Sequence, residues 1–190
     1  MTISATTHPS DDADLWVFGY GSLIWRPGFD FIESVQARLH GYHRSLCVFS
    51  HVHRGTPEQP GLVLGLDRGG VCRGVAFRVS AEKANETIAY LREREQATSV
   101  YVEKWLSLSL ADGRRIRGLA YVADRKHLQY AGRLPPEELL ALVRTGRGIS
   151  GENPDYVLRT QEHLQRMGIF DPVLSDLAQR LLSQAEMAIS

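Results

Sequence analysis

A membrane span needs roughly 18 consecutive apolar residues, and no stretch of this 190-residue chain approaches that length. The opening segment MTISATTHPSDDAD lacks the basic start and apolar core of a secretory signal. Residues 1–14 are therefore expected to form a disordered polar tail ahead of a single domain over 15–190. Net charge is missing too. Twenty-two Lys and Arg residues offset 22 Asp and Glu, so no basic surplus draws the chain to nucleic acid or an anionic membrane, while a small neutral or zwitterionic ligand stays within reach. Cysteine is scarce: Cys47 and Cys72 sit apart in strand-like segments, too few for a disulfide framework, which makes a reducing cytoplasm the default compartment. His51, His53 and Cys47 lie near one another in sequence, but the paired spacing of a zinc site is absent, and no metal is expected.

What is present suffices for one packed core, with 43% of the residues hydrophobic. Period-2 and β-rich runs fill the first half: LWVFG, VQARLHGYHRSLCVFS, LVLGL and VCRGVAFRVS, interrupted by RGTPEQPG and DRGG. Ser80 offers an N-cap to a helix over AEKANETIAYLREREQ, with Glu82 favourable in its first turn. YVEKWLSLSL, ADGRR and IRGLAYVA then form a hairpin pattern. The last third changes period, and PPEELLALVRTG, NPDYVLRTQEHLQRMG and DPVLSDLAQRLLSQAEMA read as helices. Strands first and helices mostly last predict an α+β fold, a small curved or closed, mostly antiparallel β-barrel with flanking helices.

Two places interrupt these patterns with chemistry. In WVFGYGSLIW, Gly19, Gly21 and Ser22 break a buried apolar run. A dinucleotide fingerprint needs glycine where Ile24 stands, and a nucleophile elbow needs glycine where Tyr20 and Ile24 stand, so both are excluded. What remains is a strand bulge, or a tight turn whose glycines take unusual backbone angles and whose amides cradle an anion. In the first helix, Ala84, Ile88 and Leu91 trace a core-facing stripe whose next position is Glu95. That carboxylate is either solvated at a frayed end, paired with Arg92 one turn back, or held in an apolar pocket where its pKa rises and suits it to acid–base work. HRGTPEQPG has the composition of an ordinary loop, although the planar fork of Arg54 can hold a carboxylate.

FGYGSLIW, HRGTPEQPG, YLREREQ and SGENPDYVL occur together in the order and approximate spacing of the ChaC-like γ-glutamylcyclotransferases, over about Leu15 to Leu164. The chain resembles the glutathione-specific branch of that family. The resemblance implies a γ-glutamylcyclotransferase-like barrel with flanking helices, and cleavage of glutathione to 5-oxoproline and cysteinylglycine without metal or cofactor. It implies Glu95 as the catalytic carboxylate, Gly19, Tyr20, Gly21, Ser22, Leu23 and Ile24 as the substrate loop, and Tyr156 as the late tyrosine. Many relatives carry glycine before the tyrosine that follows the catalytic helix, whereas Val100 precedes Tyr101 here. Other γ-glutamyl amides as substrates are the alternative within the same chemistry. A non-catalytic binding module is the alternative outside it, against which an isolated carboxyl on an apolar stripe argues.

Overall fold

The structure, a computed structural model, describes residues 13–95 and 99–187. Of the expected tail, residues 1–12 lie outside the described residues, as does Gln96 of the YLREREQ motif. The chain divides into two compact units, Met1–His43 with Arg68–Val122, and Arg44–Asp67 with Ala123–Ser190. The division falls inside two long strands, β2 (Glu33–Ser50) and β3 (Gly61–Val79).

A closed barrel forms in the strand order β1-β3-β2-β4-β5, with β1 at Leu15–Gly19, β4 at Tyr101–Leu110 and β5 at Arg115–Ala123. β1 lies antiparallel to β3, Leu15 opposite Val79 and Gly19 opposite Val75, and parallel to β5 at Val17 and Leu119. Hydrogen-bonded on both edges, all five residues of LWVFG are buried, which explains an uninterrupted apolar run instead of an alternating one. β2 and β4 pair antiparallel, Ala37 opposite Leu110 and Leu39 opposite Leu108. The expected closed, mostly antiparallel barrel is therefore present, with one parallel pairing.

In the first unit, Leu15, Val17, Leu23, Val79, Leu91, Trp105, Leu119 and Tyr121 form a buried cluster. Helix α1 (Ala81–Glu95) rests Ala84 and Ile88 against it and buries Leu91 completely, as the stripe requires. Its first amide is capped from a distance: Asp14 Oδ1 accepts the Ala81 N–H at 3.1 Å, and Asp14 Oδ2 accepts from Arg78 at 3.2 Å. DRGG does not interrupt the sheet as the sequence suggested. Gly69 and Gly70 adopt φ of +97° and +71°, a conformation glycine enters without a Cβ penalty, and β3 runs on through them.

The second unit holds helices α2 (Pro136–Thr145), α3 (Asn153–Arg166) and α4 (Pro172–Met187), each packed on the other two. Leu139, Leu140 and Val143 of α2 and Tyr156, Val157 and Leu164 of α3 are buried at helical spacing. A two-stranded ribbon, β6 (Arg147–Gly148) with β7 (Gly151–Glu152), leads into α3. Among the described residues, no helix is long and apolar enough to cross a membrane.

Candidate active site

The turn after β1 is fixed by packing on both sides. Tyr20 and Leu23 are buried, Tyr20 stacks near Phe18 with ring centroids 6.4 Å apart, and Leu23 enters the core cluster. Between them the chain makes a single 3-10 turn, Ser22–Ile24, in which the Ile24 N–H donates to Gly21 O at 3.0 Å and the Arg26 N–H to Ser22 O at 2.8 Å. Neither Gly19 nor Gly21 has a positive φ, but Gly21, at φ −131° and ψ −125°, takes the unusual backbone angles that the sequence suggested. Gly19 is required for room instead. A Cβ there would stand 3.0 Å from a Phe77 ring carbon and 3.3 Å from Leu23 Cβ, so both neighbours would have to give by a few tenths of an ångström.

At the far end of α1, the side chain of Glu95 is only 16% exposed. Burial raises its pKa above the ordinary carboxylate value, against the opposing pull of the Arg94 charge. Arg94 Nε lies 3.2 Å from Glu95 Oε1. Pairing with Arg92, one of the readings the sequence left open, does not occur: Arg92 grips Glu103 of β4 with two bonds, Nε to Oε2 at 2.8 Å and Nη2 to Oε1 at 2.9 Å. Behind them, the buried Tyr121 hydroxyl donates to Glu103 Oε2 at 3.4 Å. Its own burial, then the negative charges of Glu103 and Glu95, hold that phenol well above its ordinary pKa, so it remains a donor at neutral pH. Val100, at the departure from the family pattern, is buried just before β4.

Turn and carboxylate are brought together within this unit by a residue that the sequence reading passed over. Arg94 Nη2 donates to Ser22 Oγ at 3.1 Å, and Nη1 to the carbonyls of Arg26 at 2.7 Å and Pro27 at 3.1 Å. The available signal was the RERE repeat, but a periodicity search scores apolar positions and is blind to a guanidinium reaching across to a loop.

Arg54 and Tyr156 meet each other in the second unit. The Arg54 guanidinium stands 5.5 Å from the centre of the Tyr156 ring and donates to Glu152 O at 2.9 Å. The buried Tyr156 hydroxyl accepts the Leu64 N–H at 3.1 Å. One turn before it, Asn153 is fully buried and acts as a substitute strand: its Oδ1 accepts the Leu62 N–H at 2.7 Å and its Nδ2 donates to Leu62 O at 2.8 Å. Asn153→Ala strands both backbone groups in the interior, and at roughly 1–3 kcal/mol for each unsatisfied group a loss of about 3 kcal/mol is expected in denaturant unfolding. An unchanged midpoint would mean that the two groups find other partners. His53 Nδ1 lies 2.9 Å from Ser150 Oγ, and burial pushes the Cys47 thiol up to about 12, which keeps it neutral. Among the described residues, no three His, Cys, Asp or Glu side chains converge as a metal site.

Three findings compare this chain with known proteins. The family model described as ChaC-like protein matches residues 15–184. The glutathione-specific gamma-glutamylcyclotransferase of Escherichia coli is 35% identical over 167 residues, covering 88% of this chain and 72% of that protein. Gamma-glutamylcyclotransferase 2-3 of Arabidopsis thaliana is 33% identical over 183 residues, covering 90% and 92%. Among solved structures, a yeast gamma-glutamylcyclotransferase specific to glutathione superposes with a TM-score of 0.82 at 23% identity, over 90% of this chain and 96% of that one, which shows the shared fold.

Proposed function

Since this chain belongs to the ChaC-like family, we propose that it cleaves glutathione to 5-oxoproline and cysteinylglycine by cyclisation, with Glu95 moving the protons. The observation that carries this reading is a mostly buried carboxyl of raised pKa tied by one arginine to a packed Gly-Tyr-Gly-Ser turn. The γ-glutamyl group supplies its own nucleophile. Its α-amine attacks its δ-carbonyl, a C–N bond closes the five-membered ring, and the amide C–N bond to cysteine breaks. Over the whole reaction the attacking nitrogen goes from ammonium to lactam N–H and loses two protons, while the departing nitrogen goes from amide N–H to ammonium and gains two. No water is consumed. A single carboxylate that returns what it takes is sufficient, and a raised pKa suits it to both directions. The amide groups around Gly21 and Ser22 serve the α-carboxylate, and holding the substrate in its cyclising conformer is worth up to roughly 7–11 kcal/mol.

Arg54 and Tyr156, the other two residues proposed to bind substrate, lie in the second unit. The reducing cytoplasm is the compartment we propose, consistent with two buried, unbridged cysteines.

The purified protein given glutathione should yield 5-oxoproline and cysteinylglycine in equal amounts, at a rate that a chelator leaves unchanged. Free glutamate in place of 5-oxoproline would show hydrolysis and overturn the proposal.

A further inference from the structure

Arg94 takes no proton in the reaction above, and it lies off the apolar stripe that singles out Glu95. Its guanidinium nonetheless meets five other residues. One guanidinium reaches Ser22 Oγ, Arg26 O, Pro27 O and Tyr90 Oη, the last at 3.0 Å, while its Nε stands 3.2 Å from Glu95 Oε1. Only 20% of the side chain is exposed. Two of these acceptors are main-chain carbonyls just past the 3-10 turn and a third is the turn's own serine, so the bonds fix a segment of backbone as well as a side chain.

We propose that Arg94 is the positioning residue of this site: a single guanidinium fastens the Ser22–Pro27 segment to the end of α1 and holds its charge beside the Glu95 carboxylate. This rests on the cyclotransferase reading of Glu95 given above. The two duties use different properties of the side chain. Fastening needs the planar fork, whose five N–H groups diverge toward several acceptors at once, whereas the effect on Glu95 needs only a nearby positive charge. The other groups about Glu95 do not supply that charge. Tyr121 on β5 is a neutral phenol, and Glu103 on β4, behind it, is negative and already matched by Arg92. Burial drives the Glu95 pKa up, and among the described residues the Arg94 charge draws it back, favouring the ionised form that accepts a proton.

Lysine keeps the charge and loses the fork, and glutamine loses the charge, so Arg94→Lys and Arg94→Gln separate the two duties. The readout that needs no substrate is the titration of Glu95 itself, followed by NMR of its labelled δ-carboxyl in parent and variants. In Arg94→Gln the midpoint should move up by about one pH unit or more, and the acidic limb of kcat/KM for glutathione should move with it. In Arg94→Lys the midpoint should stay close to the parent's while KM rises about tenfold or more, because the turn loses its fastening and misplacement by ~1 Å is costly in such sites. An arginine with a merely structural role would lower the melting temperature of both variants and leave the midpoint where it was. An unmoved midpoint in Arg94→Gln, or a parental KM in Arg94→Lys, would overturn the proposal. Should Arg94→Gln fail to fold, the KM of Arg94→Lys decides alone. If the parent does not turn over glutathione, the cyclotransferase reading falls, while the Glu95 midpoints still test the duty of Arg94.

Discussion

Glu95→Gln is expected to give a folded protein whose glutathione turnover has dropped by at least about 10²–10⁴-fold, the range typical of losing a general base. The stability side of the same variant is the sharper test. Burial raises the folded-state pKa of Glu95 above the unfolded value of about 4.3. Below that unfolded value the carboxyl is protonated in both states and costs nothing. As pH rises through the folded-state pKa, the unfolded chain ionises more readily than the folded one, and native stability is lost. Glutamine has nearly the same shape and never ionises, so at pH 7 the variant should melt no lower than the parent, and that advantage should fade as pH falls toward about 4. A residue kept for its chemistry at the expense of stability shows this opposition, active but costly in the parent, inactive but sound in the variant. A variant that melts lower at pH 7 would mean that the pair with Arg94 outweighs burial. A variant with near-parental turnover would remove Glu95 from the mechanism.

The second large effect lies on the substrate. N-acetylglutathione should not be turned over at all. Acetylation delocalises the lone pair of the α-nitrogen into an amide, and the ring closure that replaces hydrolysis loses its nucleophile. The acetylated analogue keeps both carboxylates and the thiol, so recognition through those groups does not explain its failure. Comparable turnover of the two compounds, followed as release of cysteinylglycine, would place the attack on water or a protein group and exclude cyclisation.

Much of this architecture is legible because it is periodic. Leu91 and Glu95 were both marked by one helical stripe, and the carboxylate stood out as the position where the stripe expected an apolar residue. LWVFG was legible as a buried strand from its unbroken apolar run. Features set by partners distant in sequence were not. Ser80 has the composition of a cap, yet the carboxylate that meets the first amide of α1 belongs to Asp14, which only the β1–β3 pairing brings there. DRGG has the composition of a break, but two glycines at positive φ let one strand continue. The glycine before Tyr20 was read as a matter of backbone angle, and the structure makes it a matter of space beside Phe77. Arg94 illustrates the same limit, since its acceptors on the turn are main-chain carbonyls and a serine that carry no pattern of their own.

The parallel pairing of β1 with β5 has a consequence for how the chain comes into being. β1 is synthesised first, yet it is flanked by β3 and β5, and Val17 meets Leu119. Until β5 has left the ribosome, LWVFG has an open edge and an uncovered apolar face, the kind of strand that pairs with a neighbouring nascent chain. The core beneath α1 waits as well, because Leu119 and Tyr121 of β5 belong to the same cluster as Leu15, Val17 and Leu91. Pairings so remote in sequence slow the search for the native state, and refolding in about milliseconds to seconds is expected in place of the microseconds open to helical bundles. A chain arrested before Arg115 would carry the whole Gly-Tyr-Gly-Ser turn and the whole of α1 without the strand that completes their shared core, and its first strand would keep an open, adhesive edge.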